Sequence, residues 1–170
     1  MSFLSRSFPA ILTCGLLGLP LAAQSLPAPE GEPLLTVTGN IGLTNQGDAA
    51  VFDQTMLEAM DPVIITTSTI WTEGVQTFTG VPLAQLVELL GAEGEVMMAT
   101  AINDYTVEIP REDWVENGPV VAFLNNGEPM SIRDKGPLWI IYPYDDNPDY
   151  QTEVIYSRSI WQLDQIHFGD

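Results

Sequence analysis

The sequence predicts a mixed α+β domain, with mixed sheets and few short helices. Segments with strand character outnumber those with helical spacing, and the two kinds follow one another in an irregular order. No glycine-rich phosphate-binding motif follows a predicted strand, which disfavours a doubly wound nucleotide-binding fold. The 170 residues, 45% of them hydrophobic, are enough to bury one core. We therefore expect a single domain over residues 34–170.

The first 23 residues have the features of an export signal. Arg6 supplies a positive charge, residues 11–21 are mostly apolar, and Leu21-Ala22-Ala23 is typical of a cleavage site. The apolar stretch is shorter than the roughly 20 residues that span a membrane. We therefore expect cleavage, a periplasmic location and no membrane insertion afterwards. A retained anchor and lipid attachment at Cys14 are the alternatives.

The first predicted elements are a strand and a helix. Residues 34–39 alternate as a strand does, and the turn Asn45-Gln46-Gly47 follows. Residues 49–60 carry apolar side chains at helical spacing, with Asp48 as a plausible N-cap and Pro62 just beyond the end. This pattern predicts a helix over residues 49–60.

A strand, a loop and a second helix are predicted next. Residues 63–68 are rich in β-branched side chains, as a buried strand would be. Residues 71–80 show no period, which predicts a loop. Residues 82–90 place leucine and valine side chains on one face, and Gly91 lies where a helix-ending glycine belongs. These features predict a helix over residues 82–90.

The second half of the chain is predicted mainly as strands separated by turns. Runs of apolar or alternating residues predict four strands, at residues 96–101, 105–109, 120–124 and 138–142. The last is almost continuously apolar, which is typical of a central strand. A short acidic helix is predicted between residues 111 and 116. Residues 154–168 mix periods and are assigned to strand.

Charge and residue counts exclude several classes of function. Without residues 1–23, four basic side chains remain against the 23 acidic ones, a net formal charge of −19. Such a surface repels nucleic-acid phosphates, so we expect no nucleic acid partner. The same part of the chain has no cysteine and a single histidine, His167. Thiolate ligands are therefore absent, and zinc has too few ligands. We predict neither a metal site nor catalytic residues.

Four segments together resemble the molybdopterin-binding domain of the sulfite oxidase family. They are FTGVPL at residues 78–83, AINDY at 101–105 with VEIP at 107–110, NGEPM at 126–130 and RDKGPLWIIYP at 133–143. Their order and spacing match over most of the span from Leu34 to Phe168. The resemblance implies the sulfite oxidase-like molybdopterin-binding fold.

The chain departs from the family at the metal. Catalytic members carry a cysteine at the end of the strand before the helix that begins Gly-x-Pro-Leu, and its thiolate binds molybdenum. The corresponding position here is Thr67 or Ser68. A hydroxyl is a much poorer ligand than a thiolate for an oxo-molybdenum centre, so we expect no molybdenum.

The resemblance is greatest to small, exported, cysteine-lacking relatives that bind pterins. These relatives report the pterin to a membrane-bound cyclic-di-GMP synthase or phosphodiesterase. The resemblance therefore implies a non-catalytic protein that binds a pterin or a molybdopterin-like ligand and signals through the periplasmic segment of such a partner. One alternative is a molybdopterin-dependent oxidoreductase of the same family with a non-cysteine metal site at Ser68. Another is an interaction module whose pocket has closed.

The candidate ligand-binding residues lie in loops or strand ends that the family turns toward its cofactor. They are Ser68, Trp71, Asp104, Tyr105, Arg133, Asp134, Lys135 and Tyr142. A pterin is flat and edged with N–H donors, so aromatic or guanidinium faces and carboxylate acceptors suit it. Simpler roles remain open: core packing for Trp71, a turn at Asp104, and a solvated turn at residues 133–135.

Overall fold

Strands make up most of the backbone in this computed structural model, which describes residues 25–169. The strands in these residues are β1 Pro33–Gly39, β2 Ala50–Asp53, β3 Val63–Ser68, β4 Val75–Pro82, β5 Val96–Ala101, β6 Thr106–Pro110, β7 Val120–Asn125, β8 Glu128–Pro129, β9 Leu138–Ile141 and β10 Trp161–Gly169. The α-helices are α1 Gln54–Glu58, α2 Leu83–Leu90 and α3 Glu153–Arg158. The predicted export signal lies outside the described residues.

All of these strands belong to one mixed sheet. Its main path runs β2-β1-β10-β9-β7-β4-β3, while β5 pairs with β10 and β6, and β8 pairs with β7. The β1–β10 pair is parallel, and the other pairs are antiparallel. A mixed sheet with few short helices confirms the α+β expectation.

Strand β10 holds the sheet together because it pairs with three other strands. Its first residues pair with β9, and its longer C-terminal part pairs with both β1 and β5. The register shifts between Trp161 and Leu163 and again between Leu163 and Gln165. Gln162, at the first shift, has a left-handed backbone with φ of 55°. These irregularities interrupt the ladder where β10 begins.

The most apolar predicted segments form as expected. In α2, Leu83, Leu86 and Leu90 are fully buried on one face, and Gly91 ends the helix with φ of 56°. All four residues of β9 are buried, and the strand lies between β10 and β7, as predicted for a central strand. Strands β1, β5, β6 and β7 form within one residue of their predicted bounds. No helix in residues 25–169 is long and apolar enough to cross a membrane.

The helix predicted for residues 49–60 is wrong in its first part. Ala50–Asp53 forms β2, which pairs with β1, and all four of its residues are buried. Helix α1 covers only Gln54–Glu58, and its N-cap is Asp53 rather than Asp48. Pairing with β1 therefore outweighs the helical spacing of the side chains.

The loop predicted for residues 71–80 is wrong in its second part, because Val75–Pro82 forms β4. This strand pairs with β3 on one side and β7 on the other. Backbone pairing on both sides explains why a strand forms without alternating side chains. Gly80 permits the close approach to β7, since a Cβ atom there would lie 2.5 Å from the carbonyl oxygen of Val121.

Strand β3 has its predicted bounds, but Thr67 is the one residue of the strand that is buried. The strand pairs only with β4 and lies at one end of the main path. Ile64 is 67% exposed and Val63 is 42% exposed. Its β-branched composition indicates a strand, but it does not determine whether that strand is central or at an edge.

The structure also differs from the sequence predictions for residues 154–168 and 111–116. Residues 154–168 are not all strand, because α3 occupies Glu153–Arg158 before β10 begins. Thr152 caps α3 by accepting a hydrogen bond from the N–H of Ile155 at 3.3 Å. The acidic helix predicted between residues 111 and 116 is only a 3-10 turn at Arg111–Asp113.

Candidate functional site

A cleft at the start of β10 brings several aromatic side chains together. Its volume is about 480 Å³, within the range of small-molecule sites. We name it the tryptophan cleft, and it is lined by Trp71, Ala101, Asn103, Tyr105, Tyr156, Ser157, Ser159, Ile160, Trp161 and Gln162. Two predicted site residues, Trp71 and Tyr105, are therefore part of one cavity wall.

Trp71 is held by the aromatic rings around it. Its ring lies 5.7 Å, centroid to centroid, from those of Trp139, Tyr156 and Trp161, and 6.5 Å from that of Tyr144. All four contacts are edge-to-face, a favoured arrangement worth about 0.5–1.5 kcal/mol per pair beyond burial. The sequence left core packing and ligand contact open for Trp71. In the structure its side chain packs on the core and also lines the cleft.

Two other aromatic residues of the cleft keep large exposed surfaces. Tyr105 is 57% exposed and Trp161 is 39% exposed. The Trp161 ring is fixed by edge contacts to Trp71 at 5.7 Å and to Trp139 at 6.4 Å. Exposed aromatic faces with restricted motion suit stacking against a flat heterocycle, because little side-chain entropy is lost on binding.

Two side-chain amides, those of Asn103 and Gln162, belong to the polar lining of the cleft. Gln162 connects the walls: its N–H donates to the Lys135 carbonyl at 3.0 Å, and its carbonyl accepts from the Ile102 N–H at 2.9 Å. Its side-chain nitrogen donates to the Ile132 carbonyl at 2.7 Å. Among the described residues, no hydrogen bond uses the side-chain oxygen of Gln162 or the side-chain nitrogen of Asn103. One acceptor and one donor therefore remain for a ligand.

A second recess, of about 370 Å³, continues from the tryptophan cleft toward basic residues. The two cavities share Trp71, Trp161 and Gln162, and the recess adds Ile132, Arg133 and Lys135. We name it the cationic recess. The Lys135 ammonium lies 5.5 Å from the Trp139 ring centroid and 6.0 Å from that of Trp161, so its charge is positioned over aromatic rings.

Arg133 is the other cation of this recess, and it is exposed. Among residues 25–169 its guanidinium makes neither an ion pair nor a hydrogen bond that meets ordinary distance criteria. The ion pair found in those residues joins Arg158 to Asp113 at 2.9 Å. The donors of the Arg133 guanidinium, like those of the Lys135 ammonium, are therefore available to a ligand.

Ser68 does not line the cleft and is bound to a carboxylate instead. Its hydroxyl and its backbone N–H each donate to Asp145, both at 2.6 Å. The backbone N–H of Asp145 in turn donates to the hydroxyl of Thr67 at 3.1 Å, and Thr67 is fully buried. The Ser68 hydroxyl and N–H bonds lower the pKa of Asp145 below its usual value. Thr67 and Ser68, the two positions predicted from the sequence to replace the family's cysteine, are thus both bonded to Asp145.

Besides Ser68, three other predicted site residues line neither the cleft nor the cationic recess, namely Tyr142, Asp134 and Asp104. Tyr142 is fully buried, and its hydroxyl donates to Asp113 at 2.7 Å, while burial raises its pKa well above the usual range. Asp134 accepts a hydrogen bond from the Ser131 hydroxyl at 2.7 Å within a 3-10 turn. Asp104 lies in the turn between β5 and β6 with φ of 65°. Tyr142 therefore has no surface for a ligand in this cleft, and the two aspartates have local roles.

Asp104 also affects a neighbouring carboxyl group on β10. Burial raises the pKa of Asp164, and the nearby charge of Asp104 raises it further. The Oδ1 atom of Asp164 is buried and has no hydrogen-bond partner among the described residues. The two aspartates form a small region of unfavourable negative charge beside the β5–β6 turn.

Sequence reasoning missed several residues of the cleft. Tyr156 and Trp161 fall in a segment that was assigned wholly to strand, so their positions around the cleft were not predicted. Asn103 lies in the family-like AINDY segment, but the predicted site residues from this segment are only Asp104 and Tyr105. Gln162 itself has a left-handed backbone inside β10, which no sequence pattern indicates.

The residues at the family's metal position do not fit thiolate-bound molybdenum. Residues 25–169 contain no cysteine, and the Ser68 hydroxyl donates its proton to Asp145. No group of three or more histidine, cysteine, aspartate or glutamate side chains in the described chain is arranged to hold a metal ion.

Comparison with known proteins gives likenesses among solved structures. No family model matches the chain, and no curated protein matches it. Among solved structures it is similar to the sulfane dehydrogenase SoxCD from Paracoccus pantotrophus, with a TM-score of 0.58 and 16% sequence identity. The match covers 78% of this chain and 37% of that one, so this chain spans well under half of the neighbour. At this identity the likeness shows a shared fold and nothing further.

Proposed function

We propose that this protein is an exported, non-catalytic binding protein for a pterin or a molybdopterin-like ligand. The observation that carries the proposal is the composition of the tryptophan cleft. It has exposed aromatic faces and unpaired side-chain amide groups, and it shares three lining residues with the neighbouring cationic recess. A flat heterocycle with donors and acceptors along its edges matches these features in turn.

The chemistry assigns a role to each part of the cleft. Trp161 and Tyr105 offer their exposed faces to the ring system. The side-chain oxygen of Gln162 accepts from a ring N–H, and the side-chain nitrogen of Asn103 donates to a ring nitrogen or carbonyl. Arg133 binds a carbonyl or an anionic substituent that extends toward the cationic recess, because guanidinium forms strong hydrogen bonds to such oxygens.

The residues at the metal position support binding rather than catalysis. Oxygen-atom transfer in this family depends on a thiolate ligand, and this position offers a hydroxyl bonded to Asp145. The cleft itself contains no histidine, cysteine or carboxylate that would act as a general acid or base.

The proposal includes a periplasmic location and a membrane-bound partner. The signal-like start of the chain supports export. The resemblance to small cysteine-lacking relatives supports a partner whose periplasmic segment belongs to a cyclic-di-GMP synthase or phosphodiesterase. The acidic chain, with 23 acidic residues, suits a basic patch on that partner.

Titration of tryptophan fluorescence with reduced and oxidised pterins tests the proposal. Because Trp71 and Trp161 line the cleft, ligand binding changes their emission. We expect micromolar affinity for at least one pterin. Trp161→Leu removes a stacking face worth about 1–3 kcal/mol by analogy with base stacking and weakens binding about tenfold or more. Arg133→Ala weakens binding about three- to tenfold.

Arg111→Ala is the matched control for Arg133→Ala. Arg111 lies outside the cleft, where it donates to the Gly94 carbonyl at 2.9 Å, and its loss changes the net charge equally. Denaturation curves show whether each variant still folds. Wild-type affinity in folded Trp161→Leu and Arg133→Ala would remove this assignment of the site.

The alternative function is a molybdopterin-dependent oxidoreductase with Ser68 or an oxo group in place of the thiolate. It predicts stoichiometric molybdenum in protein expressed with a supply of the cofactor. An interaction module with a closed pocket predicts no pterin affinity at all. Metal analysis and the titration therefore separate the three functions.

A further inference from the structure

The exposed edge of the sheet at β3 differs from its other edges. β2 is also terminal, but its four residues are all buried. β6 carries Glu108 and ends at Pro110, and charge and proline both discourage further pairing. Residues 63–68 of β3 contain neither a charge nor a proline, and Ile64 is 67% exposed. Among the described strands, β3 therefore presents an edge without these protections.

The hydrogen bonds around β4 show which backbone groups of β3 are free. The N–H of Thr77 donates to the Asn126 side chain at 3.0 Å, and its carbonyl accepts from the Asn126 N–H at 2.7 Å. Thr77 therefore directs both groups toward β7. In the β3–β4 register Thr66 lies opposite Thr77, so the two residues form a non-hydrogen-bonded pair. The backbone N–H and carbonyl of Thr66 therefore point away from β4.

The direction of the backbone N–H and carbonyl groups alternates from residue to residue along a strand, so residues two positions before and after Thr66 share its orientation. Ile64 points outward like Thr66, as does Ser68, whose N–H is bound by Asp145 at 2.6 Å. No hydrogen bond among the described residues uses the N–H or carbonyl of Ile64 or Thr66 outside the strand ladder. These four groups match those that an added antiparallel strand of about three residues would bind.

The recess beside this edge is acidic. It has a volume of about 600 Å³, and Val63, Ile64, Ile65 and Thr66 form one wall. The charged residues of its lining are Glu88, Glu116 and Asp146, and no lysine or arginine lines it. A strand that binds here therefore meets apolar side chains and a field that attracts positive charge.

We propose that β3 is a docking edge for an extended, basic and apolar segment of another protein, which adds as a strand. A second copy of this chain is disfavoured, because it would bring its own three carboxylates to the same recess. The inference does not depend on a ligand in the tryptophan cleft.

Fluorescence anisotropy with a labelled twelve-residue peptide of alternating lysine and valine tests this proposal. The matched peptide alternates glutamate and valine. We expect saturable binding of the lysine peptide only. Thr66→Pro removes an outward N–H and blocks the added strand without changing charge, so binding falls at least tenfold. Ile64→Lys repels the peptide and also weakens binding, whereas the equally exposed Ile70→Lys does not.

A charge control distinguishes docking from general attraction to an acidic protein. Glu88→Gln with Glu116→Gln weakens binding about three- to tenfold by removing carboxylates of the recess. Glu95→Gln with Glu108→Gln makes the same change of charge elsewhere and leaves the affinity unchanged. Thermal unfolding verifies that each variant is folded.

Three results overturn the proposal. The first is no binding of the lysine peptide at low salt. The second is an equal loss of affinity in the two double variants, together with wild-type affinity in folded Thr66→Pro or in folded Ile64→Lys. The third is a dimer of the protein in sedimentation that Thr66→Pro converts to monomer, which assigns the edge to a second copy.

Discussion

At the scale of single residues, Asp164 is the clearest test of the electrostatics near the cleft. Its raised pKa means that the folded protein keeps this proton to a higher pH than the unfolded chain does. Stability therefore falls as pH rises from the unfolded pKa, near 3.8, through the folded pKa, and the penalty persists at neutral pH.

Asp164→Asn should remove that penalty. We expect a higher urea midpoint for the variant at pH 7 and a gain that disappears below the unfolded pKa. Exposed Asp48→Asn makes the same change of net charge and is the control. A lower midpoint for Asp164→Asn at pH 7, or equal shifts in both variants, would contradict the assignment.

The candidate site was partly predictable residue by residue. Tyr105, Arg133 and Lys135 lie in the family-like segments and Trp71 lies in the loop after β3, and all four of these predicted residues line the two cavities. Tyr142 was chosen from the same kind of segment, yet its hydroxyl binds Asp113 in the interior. A sequence motif gives the strand end on which a residue lies, but the packing around that end determines whether the residue is buried.

At the scale of elements, the approach of β4 to β7 depends on Gly80. A Cβ atom at this position would lie 2.5 Å from the Val121 carbonyl oxygen and 2.6 Å from the Cα atom of Ala122, both backbone atoms. These atoms cannot move without disturbing the β4–β7 ladder. Gly80→Ala should therefore strain the pair that connects β3 to the rest of the sheet.

We expect Gly80→Ala to lower the free energy of unfolding by about 1–3 kcal/mol, the usual cost of overpacking. Gly42→Ala is the control, because a Cβ atom there meets its nearest neighbour at 3.4 Å and the backbone needs no left-handed conformation. Urea denaturation measures both. Equal stability of Gly80→Ala and the wild type would show that the ladder adjusts.

Elements with a strong apolar pattern were predictable, and those held by pairing were not. Helix α2 and strand β9 follow from their side chains alone, since Leu83, Leu86 and Leu90 share one face and all of β9 is buried. Strands β2 and β4 were missed because their conformation depends on partners distant in sequence. The exposure of β3 was missed for the same reason, because only the strand order makes it an edge.

At the scale of the whole molecule, excess negative charge should limit stability. The full chain carries 23 acidic residues against 5 basic ones. In the described part, one ion pair, Arg158 to Asp113, offsets this charge. Self-repulsion of this kind is screened by salt, since the Debye length falls from about 30 Å at 0.01 M to about 3 Å at 1 M.

We therefore expect the thermal midpoint to rise as sodium chloride increases from about 0.01 to 0.5 M. The rise should be smaller in a variant in which several exposed glutamates away from both cavities are replaced by glutamine. A midpoint independent of salt, or one that falls, would contradict a destabilising role for the net charge.

The central claim is that the tryptophan cleft binds a pterin without molybdenum. The most direct test is to purify the exported protein, measure its metal content and pterin fluorescence, and titrate it with reduced and oxidised pterins. We expect bound pterin or micromolar binding with no molybdenum. Stoichiometric molybdenum would instead indicate an oxidoreductase, and the absence of both metal and pterin affinity would contradict a small-molecule role for this cleft.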